Sequence, residues 1–132
     1  MPNLCTNTLI VACPNAETTH FIAAELQSSR HNSAIDFAAT CPVTDDCIGA
    51  QECAWGTKCN AIGARLDLVY GSNIMYTFYT TETPPLHWLR QTSARFPAVC
   101  FDLAYDDQLL QFSGRYQCIN GVPVQDEYYE SE

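Results

Sequence analysis

The chain is short of positive charge. Its 132 residues hold 6 lysines and arginines against 15 aspartates and glutamates, a formal net charge of −9, and Lys58 is the only lysine. That deficit argues against direct nucleic-acid binding, which needs a basic surface to displace counterions. It favours a basic protein partner reached by electrostatic steering. Long apolar runs are also missing. No stretch approaches the ~18 residues that mark a membrane-spanning helix, and no basic segment followed by an apolar core opens the chain as a signal peptide would. The expected compartment is the reducing cytoplasm of a host cell.

Two further absences narrow the chemistry. Gly49, Gly56 and Gly63 do not fit G-x-x-x-x-G-K-[ST], so no phosphate loop is expected. Close-spaced cysteine pairs are lacking as well, although the chain has 8 cysteines. Cys41, Cys47, Cys53 and Cys59 recur at a constant interval of six residues. Six residues advance a helix by roughly 600°, so the thiols would not share a face. Structural zinc and iron–sulfur sites use shorter spacings. Cys13, Cys100 and Cys118 fall in strand-like runs and read as core. The expectation is buried free thiols in a reducing compartment, with no metal and no cofactor.

What is present is a globular pattern. The length fits one domain, and the 47% apolar share argues against disorder. Residues 8–13 form a β-prone run ended by Pro14-Asn15. Ala16 to Ser29 carries Phe21, Ile22 and Leu26 at helical spacing, with Asn15 as N-cap and Glu17 in the first turn. Residues 31–63 are irregular: Ile35-Asp36-Phe37 reads as a short strand, Pro42 breaks it, and Thr44-Asp45-Asp46 caps a short helix. Arg65–Tyr70 and Ile74–Thr81 form a hairpin. Pro84-Pro85 open a helix from Leu86 to Phe96. Val99–Tyr105 is a strand, Asp106-Asp107 turn the chain, and Leu109–Cys118 is a strand with Gly114 a candidate bulge. Asn120-Gly121 signals a last hairpin with Val122 to Tyr128. This order predicts an α+β fold: a ferredoxin-like split βαβ sandwich with two helices packed on an antiparallel sheet and an irregular insertion around residues 31–63. Residues 1–125 would form the domain and 126–132 an acidic C-terminal tail that frays.

Scattered anchors resemble a known family. Met1-Pro2-Asn3, Cys5 and Asn7, then Trp55-Gly56-Thr57-Lys58 with Asn60-Ala61, then Phe78, Thr80 and Pro84-Pro85 occur in order, followed by Phe96-Pro97, Tyr105 and Phe112-x-Gly114. Together these are similar to the YubB-type ferredoxin-like family of phages and conjugative plasmids. Leu4, Cys59 and Glu82 stand where that family has an aromatic residue. The resemblance implies a mobile-element setting and no assigned reaction, and the fold name implies no cluster.

Catalytic readings find little support. His20, His31 and His87 are scattered, and Cys5 or Cys47 with His87 makes no recognised nucleophile–base motif. Asp45-Asp46 and Asp106-Asp107 read as turn and cap residues. Trp55 to Lys58 can be a structural corner or a surface anchor, and the structural reading is favoured. The acids are distributed more tellingly. His31 to Thr57 contains Asp36, Asp45, Asp46 and Glu52 and no lysine or arginine; Tyr116 to Glu132 contains Asp126, Glu127, Glu130 and Glu132 and again neither. If the blocks met, they would form a single-sign patch, with Tyr128 and Tyr129 as aromatic anchors. The expected interface is therefore Asp36, Asp45, Asp46, Glu52, Asp126, Glu127, Tyr128, Tyr129 and Glu130, facing a basic host protein or nucleoprotein complex. The expected role is a mobile-element accessory protein acting by binding, in its sharpest form an acidic inhibitor of a host nucleic-acid-handling defence complex such as an anti-CRISPR. An enzyme with its site in residues 31–63 and a structural or oligomerising module are the alternatives.

Overall fold

A computed structural model describes residues 4–27, 33–42, 54–57, 60–107, 109 and 111–130. Six strands form one antiparallel sheet. They are β1 (Leu4–Ala12), β2 (Ile62–Tyr70), β3 (Asn73–Thr81), β4 (Cys100–Asp107), β5 (Phe112–Ile119) and β6 (Val122–Glu130), in the order β2-β3-β1-β4-β5-β6. Three short helices are described: α1 (Ala16–Leu26), α2 (Phe37–Thr40) and α3 (Leu86–Arg95). This overturns the expected two-helix ferredoxin-like sandwich. The protein is a six-stranded, mostly β structure with a few short helices.

Period-two burial explains why the sheet forms. Cys5, Asn7, Leu9 and Val11 of β1 face the same way as Ile74, Tyr76 and Phe78 of β3 and Phe101, Leu103 and Tyr105 of β4, and all are buried. The helices pack on this face. Phe37 of α2 and Trp88 of α3 approach with ring centroids 4.7 Å apart, and both pack against Phe78 at 5.9 and 6.4 Å. Trp88 Nε1 donates to Thr40 Oγ1 at 3.0 Å, so its polar edge is satisfied inside the core. Thr6, Thr8 and Ile10, Met75, Thr77 and Tyr79, and Asp102, Ala104 and Asp106 point to the other face. Among the described residues that face carries no helix.

Several local expectations need correction. Asp36 is not in a strand. It caps α2, its carboxylate accepting from Ala38 N at 3.0 Å, because a short acidic side chain satisfies a first-turn amide. Asp106 and Asp107 are not a turn but the last residues of β4. Gly114 is not a bulge; its register with Tyr105 is continuous, and the irregularity lies between Gln117 and Cys118. Asp126–Glu130, expected to fray, complete β6 and pair with β5. Asn15 does cap α1, accepting from Thr18 N at 2.8 Å. The short helix expected after Thr44-Asp45-Asp46 lies outside the described residues. Among the described residues no helix is long and apolar enough to cross a membrane.

Candidate functional site

The strand β6 gathers more of the predicted interface than any other element. It begins at a two-residue turn where Asn120 and Gly121 both have positive φ, 52° and 74°, as a tight hairpin turn requires. Gly121 N donates to Ser93 Oγ at 3.0 Å, and a Cβ there would stand 2.9 Å from that of Ala94. The turn is thereby seated on α3. Beyond the irregularity, Asp126, Tyr128 and Glu130 lie across from Tyr116, Gly114 and Phe112, on the helix side of the sheet. Gln125, Glu127 and Tyr129 lie across from Gln117, Arg115 and Ser113, on the open face. Acids and tyrosines therefore occupy both faces of one edge.

Short-range bonds organise that edge. Tyr129 Oη donates to Glu127 Oε2 at 2.7 Å and Gln125 Nε2 donates to Glu127 Oε1 at 2.6 Å. These two bonds, the tyrosine first, hold the Glu127 carboxyl below its usual value. The same tyrosine bond pushes the Tyr129 phenol up. On the helix side Phe112 and Tyr128 stack at 5.8 Å, and Tyr128 Oη donates to Glu130 Oε1 at 3.1 Å. Arg115 is bound twice to Asp102, at 3.1 and 2.7 Å, so the cation nearest the edge is already committed. The two tyrosines remain exposed, Tyr128 at 54% and Tyr129 at 57%.

Gly114 fixes how β5 and β6 lie over the core. A Cβ at this position would stand 2.2 Å from Tyr105 Oη and 2.5 Å from the Glu127 carbonyl oxygen. Only glycine lets the Tyr105 ring pass under the strand pair. Tyr105 is buried, and burial, helped by Asp126, pushes its phenol up to about 12.

The two acid-only blocks do not meet through Asp36. Besides capping α2, Asp36 Oδ1 accepts from Asn60 Nδ2 at 2.7 Å, just ahead of β2, and β2 is the edge opposite β6. Asp45, Asp46 and Glu52 lie outside the described residues. The structure places Asp106 and Asp107 at the end of β4 in the same sheet, and the Asp107 carboxyl is buried. A sequence signal for Asp107 existed: it continues the Val99, Phe101, Leu103, Tyr105 alternation.

Other chemistry-bearing residues are placed differently. Cys5 is fully buried and its thiol is pushed up to about 12 by burial, with Thr80, Asp107 and Asp106 around it, so it is a protonated core residue and no nucleophile. Cys47 is outside the described residues. His87 instead shares a cavity of about 370 Å³ with Cys41, Ala54, Arg90 and Gln91. Burial raises the Cys41 thiol, with Arg95 acting against it. Trp55 is buried, packs edge-on against Phe37 at 5.5 Å and donates through Nε1 to the Cys41 carbonyl at 2.8 Å. Thr57 Oγ1 donates to the Thr81 carbonyl at 2.9 Å. Trp55 and Thr57 thus serve as a structural corner, and Lys58 lies outside the described residues.

Two buried side-chain atoms have no hydrogen-bond partner among the described residues: Asn7 Oδ1 and Tyr76 Oη. An unmet buried polar group costs about 1–3 kcal/mol. The sequence marked Asn7 only as one anchor of the family resemblance, and Tyr76 only as part of the Ile74–Thr81 strand. No protein-family model, curated protein or solved structure matches the chain.

Proposed function

We propose that this protein works by binding, through the β6 edge, a protein partner whose facing surface is basic. The observation that supports it is the run Asp126 to Glu130: three acids and two exposed tyrosines on an edge strand that carries no lysine or arginine. Such an edge offers carboxylates for charge-assisted hydrogen bonds and aromatic surface for anchoring. Basic surfaces of this kind belong to proteins that handle nucleic acids, and an acidic domain can occupy the channel in place of the nucleic acid. The residues similar to the YubB-type family supply the phage or plasmid setting. In that setting the reading sharpens to an inhibitor of a host nucleic-acid-handling defence complex.

A pull-down from bacterial lysate at low and high salt, followed by surface plasmon resonance on the captured protein, tests this. Capture of a basic, nucleic-acid-handling protein at low salt is expected. Asp126→Lys with Glu130→Lys should weaken it by at least about tenfold, while Glu17→Lys on α1 should not. Binding that ignores both salt and the β6 double variant would sink the reading.

A further inference from the structure

The strand β6 is outermost in the sheet, and among the described residues no strand pairs with its far side. The Glu127 carbonyl oxygen faces β5, 2.5 Å from where a Cβ on Gly114 would stand. Peptide groups alternate in direction along a strand. The backbone N–H and C=O groups of Asp126, Tyr128 and Glu130 therefore face outward, in one line. The first half of β6 is a poor template, because Pro123 has no amide hydrogen and the register slips beside it. Gln125 to Glu130 is regular and opposes β5 residue by residue. Its side chains bond along the strand: Tyr128 to Glu130 on one face, Tyr129 and Gln125 to Glu127 on the other. The opposite edge, β2, is less open. Two slips break it, and Ala34 N donates to the Ala64 carbonyl.

We infer that the partner of the β6 edge contributes an extended basic segment, which pairs backbone to backbone with Asp126 to Glu130 as a seventh strand. This rests on the reading of β6 as a binding edge and adds the form of the ligand. A segment paired in this way places side chains directly across from Asp126, Tyr128 and Glu130, at Cβ separations of about 5 Å. Those alternate positions are thereby specified. A cation at each end meets the two carboxylates. An apolar residue between them covers the exposed Tyr128 ring, which stacks on Phe112. Backbone bonds supply the affinity and the alternate side chains the choice of partner.

The probe is the acetylated and amidated peptide Arg-Thr-Val-Thr-Arg, titrated at low salt into the isotope-labelled full chain and followed by nuclear magnetic resonance. Binding should slow hydrogen exchange at the Asp126, Tyr128 and Glu130 amides. Two N-methylated forms keep the sequence and charge of the peptide. Methyl groups on its first, third and fifth residues replace the hydrogens that face β6, and should weaken binding by at least about tenfold. Methyl groups on its second and fourth residues face away, and should leave binding near that of the parent. The inference is overturned if the two methylated peptides bind alike, or if the three amides stay unprotected in the complex. Loss of the captured partner in Asp126→Lys with Glu130→Lys would then leave the reading of β6 as a binding edge standing without it. Retention of that partner by the double variant removes both.

Discussion

The sheet has two edges, and they are protected in opposite ways. Any edge strand exposes unpaired backbone groups that can template unwanted pairing. At β2 the side chains offer little defence: Leu68 is 52% and Tyr70 76% exposed, and Arg65 and Asp67 are its only charges. Geometry does the guarding there. The β2–β3 register slips twice, between Ile62 and Arg65 and between Leu66 and Leu68, and Ala34 N donates to the Ala64 carbonyl. Slips of this kind twist a strand away from a flat partner. At β6 the register slips once, and Pro123, Asp126, Glu127 and Glu130 guard the strand. Irregular geometry excludes every partner alike. Acidic charge excludes most chains but invites a basic one, which is why the functional reading rests on β6.

Alkali should break both sides of the sheet at once. Tyr105 and Tyr116 toward the β6 side and Tyr76 toward the β2 side have phenols pushed by burial from 10.0 to about 12. The unfolded chain gives up these protons first, so stability is intact below pH 10 and is lost as pH rises through 12. Absorbance at 295 nm should show the three phenols ionising only with the loss of circular dichroism. Early, independent ionisation would contradict their burial.

Gly114→Ala should detach the charged edge selectively. The new methyl meets the β6 backbone as well as Tyr105, so a cost of about 3 kcal/mol is expected. Urea unfolding measures it, and hydrogen exchange should rise in β5–β6 before β2–β3. An unchanged midpoint would mean that β6 is free to shift.

Smaller still is the effect of acid. Glu127, held low by Tyr129 and Gln125, contributes stability above its ordinary value that is lost as pH falls through the lowered one. Glu127→Gln should flatten that part of the stability–pH curve and leave the neutral-pH melting temperature nearly unchanged. The smallest effect is expected at the other edge. Leu68→Lys adds charge to an exposed position on a strand already guarded by its slips, and should change stability by less than about 0.5 kcal/mol. If instead it converts an associating protein to a monomer, β2 is less guarded than its geometry implies.

How much of this was legible depended on whether one face of a strand was buried. The alternation of Val99, Phe101, Leu103 and Tyr105 placed β4, the apolar run closed by Pro14 placed most of β1, and the aromatic and β-branched residues of Ile74–Thr81 placed β3. The segment β6 has acids and tyrosines on both faces, so alternation carried no signal and composition suggested a tail. Only the Asn120-Gly121 turn pointed to a strand. The two-helix sandwich failed for a related reason. Element order does not reveal how far a sheet extends once its outer strands stop burying apolar side chains. Asp36 was misjudged because Ile35 and Phe37 suggested a strand, while the cap on Ala38 is a backbone matter. At the candidate site, the acids and tyrosines of β6 could be named from sequence. Their register against β5, with Glu127 across from Arg115, and the separation of Asp36 needed the strand order.

The central position of β1 has a consequence for assembly. The β2–β3 and β4–β5–β6 groups are each built from neighbours in sequence, and β1 alone joins them: Ala12 meets both Asn73 and Cys100, and Cys5 meets both Thr80 and Asp107. As the chain leaves the ribosome, its first strand must wait for most of the polypeptide before its second partner exists. The two half-sheets can form early and locally, whereas their fusion carries the loop-closure entropy of the whole chain. Folding speed should therefore be governed by the seating of β1, with the two edges already in place when the core closes.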